Sequence, residues 1–210
     1  MKMTQHQIIT RIVKPLLFIL CLVPFALLVW NLFTDNLGAN PVEKMTHITG
    51  DWALRILLLT LAVTPLRKLT GWHVIVRVRR MLGLYVFFYA CLHFSIFLVF
   101  DHFFNIYEIM KDVIKRPYIT VGFTSFVLLF PLAFTSTNNM VKRLGAARWQ
   151  RLHKLVYVIA TGGILHYLWL VKADTRDPIF YAVILLVLLL FRVWEQRKHL
   201  LVKSDAHANA

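Results

Sequence analysis

The stretch Met81-Leu-Gly-Leu-Tyr-Val-Phe-Phe-Tyr-Ala-Cys-Leu-His93-Phe-Ser-Ile-Phe-Leu-Val-Phe100 decides the fold of this chain. It contains no carboxylate, lysine or arginine. As helix its twenty residues rise about 30 Å, the thickness of a bilayer's hydrocarbon core. Backbone amides and carbonyls have no water partner at that depth, so a helix, which pairs them internally, is the expected state. The same stretch carries an imidazole, and an ionisable side chain at membrane depth is costly enough to mark a functional site.

Working outward, five more apolar runs lie at roughly 12–32, 51–66, 117–135, 154–172 and 178–195. Together with 81–100 they predict an all-α membrane protein of six transmembrane helices in a single domain, 1–210. The run 51–66 is the shortest and is expected to gain a turn or to tilt. The first run follows Lys2, Arg11 and Lys14 as a signal peptide would. It is too long for a signal core and lacks a small-x-small cleavage site, so it reads as a retained anchor, kinked at Pro24. The 59% hydrophobic composition exceeds the about 45–50% of soluble domains. The alternating pattern of a membrane barrel is absent. Cys21 and Cys91 both fall in apolar runs, with no CxxC or CxxCH, which excludes a disulfide scaffold, a cysteine zinc site and covalently attached haem.

The net charge of +14 is explained by where the charges fall. Seventeen of the 24 basic residues lie on the N-terminus, the 67–80 and 136–154 connections and the tail, against two acids, Glu195 and Asp205. The opposite connections hold six basic residues, Lys172 among them, and the other eight acids; Arg55 lies inside a run. The positive-inside rule then places both termini in the cytoplasm. Topology and contact with anionic lipid account for the basicity, so nucleic-acid binding is not called for.

Three histidines, His93, His153 and His166, sit in or at the edge of apolar runs, and imidazole suits axial ligation of haem iron. His93 lies about 18 Å up its helix from Met81, and His166 about 20 Å beyond His153, at 1.5 Å per residue. The two reach similar depths, so a haem held between helices three and five by His93 and His166 is the geometrically natural reading, with His153 near the cytoplasmic face. Thirteen residues leave His153 and His166 about 140° out of phase on an ideal helix. Gly162-Gly163 is where a bend or bulge would correct this, and where a flat macrocycle would approach the backbone. The bland alternatives are a hydrogen-bonded core histidine at 93, an interfacial one at 166 and a solvated one at 153.

Weaker candidates surround these. Arg55, one turn after Asp51, either pairs with it or holds a haem propionate. Arg77, Arg79 and Arg80 neutralise propionates or a flavin phosphate, or serve only as a topology signal. His47 and His73 fall in expected loops, as solvated residues or as an extra ligand; five tryptophans including Trp149 suggest an aromatic belt, and the acidic 101–112 loop is a candidate docking surface for a partner.

Particular residues carry a resemblance. His47-Ile-Thr-Gly-Asp-Trp-Ala-Leu54, Thr64-Pro-Leu-Arg-Lys68, Arg79-Arg-Met-Leu-Gly-Leu84, Tyr89-Ala-Cys-Leu-His93 and Arg116-Pro-Tyr-Ile-Thr-Val-Gly122 are among them. So are Ala133-Phe-Thr-Ser-Thr-Asn138, Trp149-Gln-Arg-Leu-His153-Lys-Leu-Val-Tyr157 and His166-Tyr-Leu-Trp169. Over essentially its whole length the chain resembles the MsrQ (YedZ) family, the haem-bearing membrane subunits of the bacterial periplasmic protein-methionine-sulfoxide reductase system. The resemblance implies a b-type haem at His93, His153 and His166, and FMN. It implies an electron-transfer subunit rather than the catalytic one. Electrons would pass from the quinone pool, or a cytoplasmic flavin reductase, to the periplasmic molybdopterin subunit MsrP, partner in a heterodimer. The wider resemblance is to the ferric reductase-like transmembrane domain, whose members carry two histidines on each of two helices. Here Arg79 stands fourteen residues before His93, which leaves the partner of His153 open. The alternatives are a ferric-reductase-like cytochrome b serving another acceptor, and a transporter or proton-relay bundle, which the scarcity of intramembrane carboxylates disfavours.

Overall fold

The computed structural model describes residues 4–171 and 173–208, with side chains through residue 198. Lys2 and Lys172 of the charge count lie outside the described residues, as do the side chains of Lys203 and Asp205. Every regular element among the described residues is helical.

Helix α1 spans Gln5–Phe33 and opens on a capping box in which Thr4 and Gln7 satisfy each other's backbone amides. Helix α2, Pro41–Thr70, is far longer than the apolar run 51–66 suggested. Asn40 accepts from the Glu43 amide and Pro41 occupies the first helical position, so the start is set ten residues upstream of the hydrophobic stretch. Its end is set by Gly71, left-handed at φ 69°. His47 is thus a helical residue rather than a loop one. Helix α3, His73–Asp101, enters through a 3₁₀ turn and leaves through a π turn at Phe97–Asp101. Helices α4 (Ile106–Lys115), α5 (Pro117–Phe134), α6 (Asn138–Leu144), α7 (Ala146–Leu152), α8 (Leu155–Leu170) and α9 (Arg176–Ala208) follow.

Among the described residues, five helices are long and apolar enough to cross a membrane: α1, α2, α3, α5 and the Arg176–Lys198 part of α9. The expected run 154–172 forms the 16-residue α8, about 24 Å long at 1.5 Å per residue. Its start is fixed by a break at His153-Lys154, its end by extended backbone at Val171. The 101–112 segment is largely helix rather than loop. On α4, Ile106, Tyr107, Met110 and Ile114 form an exposed apolar stripe while Asp112 turns inward, an amphipathic pattern of the kind that lies in a membrane interface.

Two helix pairs make the frame: α2 packs along α3, and α5 along α8. Helix α3 also meets α5, and α9 covers α2 and α8. Apolar side chains face outward as well as inward: Phe18, Ile19 and Leu27 on α1, and Val183, Val187 and Leu190 on α9, are about half exposed or more, an arrangement stable only against lipid. Tyrosines tie α1 to α3. Tyr85 Oη donates to the Phe18 carbonyl at 3.0 Å. Tyr89, fully buried, donates to the Cys21 carbonyl at 2.7 Å and accepts from the Phe25 amide at 3.1 Å. Cys21 and Phe25 are i, i+4 partners, so this hydroxyl is inserted into the ladder of α1 beside Pro24.

Candidate functional site

A cavity of 540 Å³ lies between α2, α3, α5 and α8. That is within the range of about 300–1,000 Å³ typical of cofactor and small-ligand sites. Its walls are mostly apolar, with Leu54, Val86, Ala90, Phe94 and Phe126 among them, and His93 and His166 stand in it from α3 and α8. Their ring centres are 6.0 Å apart with planes at 87°.

Each ring is tied from behind to a helix that carries neither histidine. His93 Nδ1 donates to the Thr46 carbonyl of α2 at 3.0 Å, and His166 Nδ1 to the Tyr118 carbonyl of α5 at 2.7 Å. A carbonyl only accepts, so Nδ1 carries the proton in both rings and Nε2 keeps the lone pair. Two neutral imidazoles with fixed tautomers therefore face one apolar chamber. A metal between two imidazole nitrogens at about 2.0 Å each brings the ring centres to about 6 Å, and the carbonyl bonds are the outer partners that ligating histidines ordinarily have. The donor set fits a bis-histidine haem, and the matched depths read from the sequence correspond to real proximity.

Glycines make room for these rings. Gly50 lies one turn after Thr46, and a Cβ there would sit 3.1 Å from His93 Cε1 and Nδ1. Gly122 lies one turn after Tyr118, and a Cβ there would sit 2.6 Å from His166 Nδ1. The sequence-expected pair behaves differently. Helix α8 continues without a break or bulge through Gly162-Gly163. A Cβ on Gly162 would meet Ser125 Oγ of α5, so that glycine serves helix packing, while Gly163 lines the cavity.

His153 belongs to a separate cluster. Because the chain breaks between α7 and α8, His153 and His166 do not share a helix, and the phase mismatch needs no correction within α8. The His153 ring stacks on Trp149 at 3.8 Å, with Nε2 3.1 Å from Thr135 Oγ1. Trp149 Nε1 donates to the Thr135 carbonyl at 2.8 Å, so Trp149 is part of this cluster rather than only an interfacial aromatic. Burial, then the nearby Arg79 and Arg80 guanidinium groups, push the His153 pKa down to about 4, so the ring is neutral.

The arginine candidates scatter. Arg55 is engaged outside the cavity: Nε donates to Tyr181 Oη at 2.7 Å, Nη2 lies 3.5 Å from Asp51, and the guanidinium sits over Trp52. Arg77 is exposed on the 3₁₀ turn. Arg79 hydrogen-bonds Tyr157. Arg80 bonds Asn138 and lies over Trp149. Charged and polar groups line one part of the cavity: Arg116 Nε lies 3.3 Å from Asp112, whose other oxygen is 3.4 Å from His102 Nε2, and His47, Asp51 and Asp101 line it as well. Of these Arg116 was not a candidate from the sequence.

Residues 49–164 match the family described as ferric reductase like transmembrane component. The chain is 59% identical over 191 residues to the protein-methionine-sulfoxide reductase heme-binding subunit MsrQ of Herminiimonas arsenicoxydans, covering 89% of this chain and 88% of that one. It is 54% identical to the protein of the same name from Ralstonia nicotianae, covering 88% and 86%. The MsrQ of Xanthomonas axonopodis pv. citri is 51% identical over 87% and 86%. No solved structure matches.

Proposed function

Because this chain belongs to the MsrQ family of ferric reductase-like transmembrane proteins, we propose that it is the haem-bearing membrane subunit of a protein-methionine-sulfoxide reductase system and passes electrons outward through its bundle. The observation that carries this reading is the pair His93 and His166, 6.0 Å apart in an apolar cavity with each Nδ1 held by a carbonyl. A b-type haem bound there would supply a one-electron carrier. His93 and His166 would hold it, the Thr46 and Tyr118 carbonyls fix their tautomers, and Val86, Phe94 and Phe126 give the chamber its apolar wall. His153, stacked on Trp149 at the other end of the bundle, sits on the side from which electrons would enter.

In this reading six spans cross a bacterial inner membrane with both termini cytoplasmic, the short α8 crossing inside the bundle and the basic connections supporting the orientation. The donor is the quinone pool or a cytoplasmic flavin reductase. The acceptor is a periplasmic molybdopterin subunit of the MsrP type, which repairs methionine sulfoxide in periplasmic proteins. Arg77, Arg79 and Arg80 diverge, so a flavin phosphate gripped jointly by all three does not fit, and no step is assigned to FMN.

A dithionite-reduced minus oxidised absorption spectrum of the purified protein, with pyridine haemochrome quantification per chain, tests the reading. A low-spin b-type spectrum is the expected result. Folded protein without haem, after expression with ample haem supply, refutes it and favours the transporter or proton-relay alternative.

A further inference from the structure

The two axial candidates are held by the same backbone device, repeated on two helices. In each, a carbonyl accepts the imidazole Nδ1 proton, and the residue one turn later is a glycine. Thr46 and Gly50 of α2 serve His93; Tyr118 and Gly122 of α5 serve His166. A helix carbonyl is normally screened by the side chain one turn along, because Cα–Cβ bonds tilt toward the N-terminus. At these two places the screen is missing, and the ring lies over the bare backbone.

The space is tight enough to measure. At Gly122 an added Cβ would lie 2.6 Å from His166 Nδ1, 2.9 Å from Cε1 and 3.0 Å from Cγ. Those atoms form the root of the ring, not the tip of a flexible chain, so the imidazole would have to leave. At Gly50 the closest approach to His93 is 3.1 Å, which a shift of a few tenths of an ångström relieves. Neither position requires glycine for its backbone, since neither carries a positive φ. Glycine within a helix is less favourable than alanine, so both positions forgo helix stability.

We propose that Gly50 and Gly122 are positioning residues, which set the orientation of His93 and His166 by admitting each ring to a backbone carbonyl. This rests on the haem reading above, and it assigns to α2 and α5 the task of aiming ligands that α3 and α8 carry.

The test compares alanine variants of the full-length protein in detergent with the wild type, by haem per chain and by the spin state in absorption and electron paramagnetic resonance spectra. Gly122→Ala should weaken haem binding about 10- to 100-fold, as loss of an outer-shell partner does. The haem that remains should be high-spin, and added imidazole should restore the low-spin spectrum by filling the position His166 vacates. Gly50→Ala should keep most haem with a mixed spin state. Gly83→Ala, outside the cavity and with nothing within 4 Å of an added Cβ, should match the wild type. A low-spin spectrum and full haem content in both Gly122→Ala and Gly50→Ala overturn the proposal, as does loss of haem equal to theirs in Gly83→Ala. Should Gly122→Ala fail to fold, the spin state of Gly50→Ala decides. The wild-type spectrum alone tests the haem reading, so the two failures are distinguishable.

Discussion

Replacing Tyr89 by phenylalanine removes a single oxygen, yet that oxygen makes two hydrogen bonds across the α1–α3 contact. It donates to the Cys21 carbonyl at 2.7 Å and accepts from the Phe25 amide at 3.1 Å, with no exposed surface on the side chain. Neither backbone group has water as a substitute, and the Pro24 ring, which crowds the carbonyl four residues back, keeps that turn of α1 from closing over the gap. At about 1 kcal/mol net per bond, Tyr89→Phe should cost about 2 kcal/mol. For a chain of this size that corresponds to a fall in Tm of about 4–8 °C. Tyr85→Phe is the internal comparison. It loses one bond, to the Phe18 carbonyl at 3.0 Å, and should cost about half as much. The assay is thermal unfolding in detergent, followed by tryptophan fluorescence and by loss of monodisperse protein. Haem per chain should stay at the wild-type level in both, since His93 is anchored through Thr46 on α2 rather than through α1. A Tyr89→Phe protein as stable as wild type, or no less stable than Tyr85→Phe, refutes the inserted hydroxyl as a determinant of this packing.

Other predictions concern the site. His93→Ala and His166→Ala should each remove most bound haem, read by pyridine haemochrome; full retention in both would sink the shared site. His153→Ala should slow reduction from the cytoplasmic side, measured by stopped-flow in oriented vesicles, more than it lowers haem content. Haem loss equal to that of the other two would instead point to a second, coupled site. Arg55→Ala should leave haem stoichiometry intact and lower thermal stability, because the guanidinium bonds Tyr181 and Asp51 rather than lining the cavity; haem loss in that variant would restore Arg55 as a propionate holder.

Hydropathy is a sound guide where lipid is the solvent: α5 follows the run 117–135 to within a residue, and α3 ends with the run 81–100. It misled where helix and apolar run part company. Helix α2 begins at Asn40-Pro41, a cap legible in the sequence, but its first turns carry Lys44 and His47 and so look like loop. Helix α4 was legible too: Asn105 caps it, Glu108 follows three residues later, and Ile106, Ile109, Met110, Val113 and Ile114 keep helical spacing. Its acids drew the eye and its stripe did not. The break at His153-Lys154 has no glycine or proline to announce it and depends on tertiary contacts of Trp149 and Thr135. The pairing of His93 with His166 could be read from depth alone, because parallel helices in a membrane share one ruler. Gly50 and Gly122 could not, since nothing local says which ring will lie over a given glycine.

The carbonyl bonds behind His93 and His166 also bear on the energy at which an electron is held. An imidazole that donates its Nδ1 proton gains electron density at the opposite nitrogen and becomes a more basic ligand. Electron-rich ligands favour the ferric state, so both bonds would lower the reduction potential of a haem held there and make its reduced form a stronger donor. The acceptors of those bonds are main-chain atoms of α2 and α5, and α4 leads directly into α5. A partner that shifted α4 by a fraction of an ångström would lengthen the Tyr118 bond and raise the potential. A partner seated on α4 would thereby tune driving force through a peptide group of the main chain.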